Sequence, residues 1–270
     1  MAELSILSLN LRFGLADDGL NGWEYRKETV VKLFQGERPD FIAVQEANHF
    51  QSDFLIQNLS DYGHIGRRDP APEFWQDNIL FYRKPIVCKE HLHFFLSETP
   101  LVPSRSFGSK FPRQATLGRF QVNSYAIICV NTHLDFKTPA QMGAARVIKA
   151  QLSPFSDKIP LILMGDFNAT PDSPCYQWFT GKAVQSERGL DLKETFKEPY
   201  PSTFHGFTGE PAVGYIDWIL YGGPLRLKAC QVFQDPLDGT YPSDHFPVKA
   251  VFEPNKRAHS PLLAAGLASV

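Results

Sequence analysis

Leu161-Ile162-Leu163-Met164-Gly165-Asp166-Phe167-Asn168 passes from an unbroken apolar run to a polar turn, and Pro160 stands directly before it. A short apolar run without alternation reads as a strand buried on both faces. Pro160 introduces that strand, and Gly165 to Asn168 hang off its end. The same arrangement recurs outward along the chain. Leu4 to Leu11 is a buried strand carrying Asn10 near its end, and Phe41-Ile42-Ala43-Val44, after Pro39, delivers Gln45-Glu46. Tyr125 to Asn131 leads into Thr132-His133-Leu134-Asp135.

Between these strands the period changes. Trp23 to Phe34 reads as a helix with Val30, Leu33 and Phe34 in its apolar stripe and Gly36 as its stop; a second helix is expected around Phe54 to Leu59. Pro139 to Leu152 is a third, with proline suited to the first turn. From Ile79 the texture is of short strands separated by Pro, Gly and Ser: Ile79 to Tyr82, His91 to Phe95, and Leu117 to Val122. Ile216 to Tyr221, Ala229 to Phe233 and Val248 to Phe252 complete the set. The expectation is an α/β protein with two packed, mixed and largely antiparallel sheets flanked by helices. Residues 1–253 form one domain in this reading, and residues 254–270 a loose tail.

The 270 residues carry a formal charge of -2, which gives no global field to attract polyanions, so attraction to phosphate must be local. At 43% hydrophobic and 21% charged the composition is that of a folded protein, which argues against disorder. Cys88, Cys129, Cys175 and Cys230 lack the paired spacing of a zinc site and are expected to be reduced. Without a basic, apolar leader or a span of membrane length, the expectation is a cytoplasmic protein with no stable membrane insertion. No partner protein is readable.

Asn10, Gln45-Glu46, Asn131 to Asp135, Asp166 with Asn168, Asp217, and Ser243-Asp244-His245 are polar residues at strand ends that folding alone does not require. Oxygen ligands of this type suit Mg²⁺, or Mn²⁺, better than zinc. Gln45-Glu46, Asn131-Thr132-His133-Leu134, Gly165-Asp166-Phe167-Asn168 and Ser243-Asp244-His245, in this order, resemble the motif set of the endonuclease/exonuclease/phosphatase (deoxyribonuclease I-like) superfamily. Phe95 to Pro100 and Thr203-Phe204-His205-Gly206-Phe207 are similar to a bacterial branch related to the nocturnin and deadenylase group. Phe136 departs from the pattern, since a histidine is usual there.

The resemblance implies a four-layer sandwich and metal-assisted hydrolysis of a phosphoester, by a phosphodiesterase or nuclease, or by a phosphatase acting on a small phosphorylated metabolite or lipid headgroup. A catalytically silent binding scaffold is the rival reading. By residue, it implies Glu46, Asn10 and Asp244 at the metal, Asp166 activating water, Asn168 and His133 on the phosphate, and His245 paired with Asp217. Arg113, Arg146 and His205 are candidate substrate contacts. Arg105, Lys110, Arg113 and Arg119 concentrate positive charge after Ser97-Glu98-Thr99-Pro100, and Arg113 is the foremost expected to select the substrate. Asp135 and Glu98 are candidate supporting residues.

Overall fold

The computed structural model describes residues 3–183 and 189–255. The expected tail falls, from residue 256 onward, outside the described residues. Six strands make one sheet: β1 (Leu4–Asn10), β2 (Phe41–Ala47), β3 (Tyr62–Ile65), β4 (Asp77–Arg83), β11 (Leu225–Val232) and β12 (Val248–Pro254), in the order β11-β12-β1-β2-β4-β3. The second sheet has the order β5-β6-β7-β8-β10-β9, from β5 (Val87–Phe95), β6 (Gln114–Val122), β7 (Tyr125–His133), β8 (Leu161–Asp166), β9 (Lys193–Glu194) and β10 (Asp217–Gly222). Only β1 with β2 and β7 with β8 run parallel; the other pairs are antiparallel.

Helices α1 (Trp23–Glu37) and α3 (Thr138–Leu152) supply the crossovers that these two parallel pairs require. Alternate residues of the central strands explain the layers. Ile6, Phe41, Ala43, Ile127, Cys129, Ile162 and Met164 point between the sheets. Leu7, Leu9, Ile42 and Val44 face α1 and α2 (His49–Asn58), while Ile128, Val130 and Leu163 face α3 and α4 (Pro174–Phe179). Apolar residues are therefore needed at consecutive positions, which is why those strands lack alternation.

Two helix boundaries differ from expectation. Gly36 does not stop α1, which continues to Glu37 and is closed by Arg38 in the left-handed region. One glycine costs a helix only about 1 kcal/mol, too little to end one whose apolar stripe is buried. The second helix starts earlier than expected because Gln51 Oε1 accepts from the Asn48 N–H at 2.9 Å, half of a capping box. Among the described residues no helix is long and apolar enough to cross a membrane.

Candidate active site

Strand register alone assembles the site. His133 of β7 pairs with Asp166 of β8, and Asp166 pairs with Asp217 of β10, so three functional side chains form a row across one sheet. In the facing sheet Asn10 pairs with Gln45, which puts Glu46 next to the same level. Asn10 joins the sheets: its Nδ2 donates to Asp166 Oδ2 at 2.9 Å and to Glu46 Oε1 at 3.2 Å. Beneath this bridge Gln45 Nε2 donates to Asn131 Oδ1 at 2.7 Å, and Asn131 Nδ2 donates to the carbonyls of Val44 and Ile79. Gln45 and Asn131 thus clamp the sheets and do not reach a substrate.

Glu46 and Asp166 are held by backbone. Glu46 sits at a register shift between β2 and β4 with φ 61°, and its Oε2 accepts from the Phe13 N–H at 2.6 Å. A non-glycine residue in that region is uncommon and is retained where the surroundings enforce it. Asp166 Oδ1 accepts from the Asn168 N–H at 2.9 Å, an Asx turn that leaves Oδ2 for the site. Gly165 makes the strand end possible, because a Cβ there would lie 1.9 Å from the Thr132 carbonyl oxygen.

Charges are concentrated and buried. Burial and the neighbouring Asp217 push the Asp166 carboxyl up to about 7. For His245, burial alone would favour the neutral ring. The facing charges of Asp217, Asp166 and Asp244 outweigh it, with Nδ1 on Asp217 Oδ2 at 2.9 Å, and push the group up to about 10. His133 goes the other way: burial, Arg113 and His245 hold it well below its ordinary value. Arg113 Nη1 lies 3.0 Å from His133 Nδ1. An arginine can only donate, so Nδ1 accepts and the ring proton sits on Nε2, 3.3 Å from Asp166 Oδ2.

Thr203 and the residues after it, similar to a family segment but without an assigned role, stitch the remaining loops. Thr203 Oγ1 accepts from the N–H groups of Ile216 and Asp217 at 3.1 and 3.0 Å. The N–H groups of His205 and Gly206 both donate to the Asp244 carbonyl, and Phe204 sets its ring edge-on to His245. His205 itself is buried, stacked on Phe246 at 4.0 Å. It therefore does not line the cleft, in contrast to the sequence expectation: its Nδ1 accepts from the Gly209 N–H and its ring fills space behind the loop.

The other expected contacts divide. Arg113 borders a cleft of about 440 Å³ that opens beside Glu46 and His133. Arg119 does not: it lies in β6 and pairs with Glu90 on the neighbouring strand. Arg105 donates to the Lys110 carbonyl and shapes the loop, and Lys110 lies over the Phe111 ring. Arg146 is exposed on α3 and is not among the residues lining the cleft. Glu98 is exposed, whereas Asp135 ties the 96–113 loop down by accepting from Ser109 Oγ and the Lys110 and Lys137 N–H groups.

Arg12 was missed. It borders the cleft, chelates Asp18 through two hydrogen bonds and lies 3.7 Å from Asp244. Its only signal in the sequence was its place one residue beyond a strand end bearing Asn10. Arg26 was missed too. It is a buried arginine on α1 whose guanidinium donates to the carbonyls of Asn21 and Pro242 and so fixes the approach to Ser243-Asp244-His245.

The donor set suits a hard divalent cation. Glu46, Asp166, Asp217 and Asp244 converge at one place, and burial, with Asp217 beside it, raises the Asp166 carboxyl. Ligating atoms of Asp166, Asp217 and His245 lie within 4.8 Å of one another. That trio is grouped closely enough to suggest a metal site, yet Asp217 is engaged with His245 and the ring is held protonated, so Glu46 and its neighbours are the better oxygen donors.

Residues 7–245 match the model of the endonuclease/exonuclease/phosphatase family. The chain is 25% identical over 276 residues to nocturnin of Drosophila melanogaster, covering 86% of this chain but only 42% of that relative. An endonuclease/exonuclease/phosphatase structure from Bacteroides vulgatus superposes with a TM-score of 0.84 at 26% identity, covering 94% of this chain and all of the other. A mannosyl-6-phosphatase from Bacteroides thetaiotaomicron gives 0.81 at 26%, covering 93% and 99%. The two-sheet fold, the strand-end site and the match over residues 7–245 agree, and the chain belongs to the endonuclease/exonuclease/phosphatase family, whose chemistry is hydrolysis of phosphoester bonds.

Proposed function

We propose that residues 1–253 form a Mg²⁺- or Mn²⁺-dependent phosphoester hydrolase in which water attacks phosphorus in line. The observation that carries this reading is the buried row His133, Asp166, Asp217 with His245, bridged by Asn10 to Glu46. A silent scaffold would have no physical reason to gather these carboxylates and histidines, at the cost of their desolvation, in one place.

Glu46, Asn10 and Asp244 hold the metal in this account. When bound, it neutralises phosphate oxygens and the departing oxyanion. Asp166, raised by burial to about 7, is suited to orient the water and take one of its protons. The water oxygen bonds to phosphorus, the ester P–O bond breaks with its electron pair on the leaving oxygen, and that oxygen takes a proton from solvent. Asp217 keeps His245 protonated as a donor to the phosphate. Asn168 is a second donor: its Nδ2 lies 2.9 Å from His133 Nε2 and is oriented by donating to the Leu134 carbonyl at 3.0 Å.

The test is a hydrolysis screen with Mg²⁺ and Mn²⁺ over bis-p-nitrophenyl phosphate, single-stranded and duplex nucleic acids, dinucleotides and phosphorylated small molecules. Turnover of at least one ester that EDTA abolishes and metal restores is expected. Full activity in chelator-treated protein would end the metal-dependent reading.

A further inference from the structure

Beyond the acidic cluster, the cleft is lined by aromatic rings from two stretches of wall. Phe74 and Trp75 come from one loop, and Phe111 and Phe136, which share the Arg113 guanidinium, from two others, with Arg12 and Arg113 also at its border. Phe74, Phe111 and Phe136 are 67%, 43% and 62% exposed. Scattered exposed apolar residues are ordinary, but three phenyl rings around one concavity that ends on the reacting centre are not.

Both stretches are built in advance. Asn48 Nδ2 donates to the carbonyls of Glu73 and Trp75, and the Trp75 indole N–H donates to buried Asp77 Oδ1 at 2.9 Å. In the other stretch Asp135 pins Ser109 and Lys110 to its own loop, and the Arg113 guanidinium lies over both Phe111 and Phe136, at 5.2 and 5.7 Å. Phe136 occupies the position where the sequence pattern has a histidine, so this chain trades a polar group for a ring face.

The dimensions narrow the occupant. A cleft of about 440 Å³ whose lining surface is more apolar than polar, with Arg12, Gln76, Asn78, Arg113 and Gln114 among its polar groups, fits the organic part of one small molecule. Tracking of a polymer requires an extended basic groove, and the chain carries a net charge of -2.

On the hydrolase reading above, we infer that the cleft binds the organic half of the substrate and that this half is one aromatic ring, so that the enzyme acts on small ring-bearing phosphoesters rather than on nucleic-acid chains. A nucleoside and an aryl alcohol both present such a ring, and matched substrates separate them. Adenosine 5′-phosphate against ribose 5-phosphate, with their methyl diesters, isolates a nucleobase. Phenethyl phosphate against butyl phosphate isolates a plain ring.

With Mg²⁺ or Mn²⁺, the ring-bearing member of at least one pair should have at least tenfold higher kcat/KM. Phe111→Ala and Phe136→Ala should each raise its KM roughly tenfold, the scale of one lost stacking contact, and change the KM of the ringless partner much less. Oligoadenylates longer than a dinucleotide should gain nothing further. Equal turnover within every pair, equal losses on both members, or a tenfold gain with oligomer length would overturn the inference. If no ester is hydrolysed, the hydrolase reading fails by itself, and calorimetry of adenosine 5′-phosphate against ribose 5-phosphate decides the subsite. Binding that is stronger for the former and weakened by Phe136→Ala supports it, and equal or absent binding refutes it.

Discussion

The floor of the site and the wall of the cleft are built by different means. His133, Asp166 and Asp217 stand on neighbouring strands at one register level, so their separations follow from the hydrogen-bond ladder. Phe74, Phe111 and Phe136 stand on loops held by single side chains, Asn48 and Asp135. A ladder fixes chemistry that every substrate needs, while a pinned loop can change its residues without disturbing that chemistry. Substitutions in the floor should therefore lower kcat on all esters, and those in the wall should alter KM on some.

The largest effect is expected from Asp166→Asn, which keeps the Asx turn and the shape of the strand end. Steady-state kinetics should show kcat reduced at least ~10²-fold, the cost of a lost acid–base group, by the same factor on every ester. A loss confined to one substrate would erase the distinction between floor and wall.

Thr203→Val removes the acceptor for the Ile216 and Asp217 N–H groups while keeping the side-chain shape. A buried N–H left unpaired costs about 1–3 kcal/mol. The strand end bearing Asp217 should shift, with kcat reduced about tenfold, KM little changed, and recovery in Thr203→Ser. An unchanged kcat in the valine variant would remove this segment from the machinery.

Arg113 belongs to both regions, touching His133 and bordering the cleft. Arg113→Ala should raise KM for a preferred natural ester and also lower kcat several-fold on a minimal aryl diester, as His133 loses the donor that fixes its tautomer. A pure KM effect would assign it to the wall alone.

The last effect leaves turnover aside and concerns stability. Burial pushes buried Asp77 from its ordinary value near 3.8 up to about 6. A carboxyl raised on folding stabilises below its unfolded value and loses that contribution as pH rises through the folded one. Between about pH 4 and 6 the protein should lose up to roughly 3 kcal/mol that Asp77→Asn does not lose, at about 1.4 kcal/mol per unit. Denaturant unfolding of both proteins across that interval checks it, and parallel curves would contradict it.

The contrast between regions also explains what could be read in the sequence. Asn10, Glu46, His133 and Asp166 were legible because each ends a buried apolar run, and both sheets followed from the same runs. Arg12 and Arg26 were not, because what ties them to the site, Asp244 and the Pro242 carbonyl, lies in a loop remote along the chain. The Arg26–Pro242 contact, for example, joins α1 to the segment before β12. His205 carried a motif-like signal for a structural reason, since its ring packs on Phe246 behind Asp244. Arg119 groups with the basic residues of the preceding loop although it falls inside the expected strand Leu117 to Val122, and β6 pairs it with Glu90.

The central claim separates metal holding by Glu46 from water activation by Asp166, and one titration tests it most directly. Mn²⁺ binding, followed by electron paramagnetic resonance, is compared among the unaltered protein, Glu46→Gln and Asp166→Asn, with turnover measured on the same samples. The account predicts at least tenfold weaker binding in Glu46→Gln, and nearly normal binding with lost turnover in Asp166→Asn. Normal binding in Glu46→Gln, or normal turnover in Asp166→Asn, would contradict it.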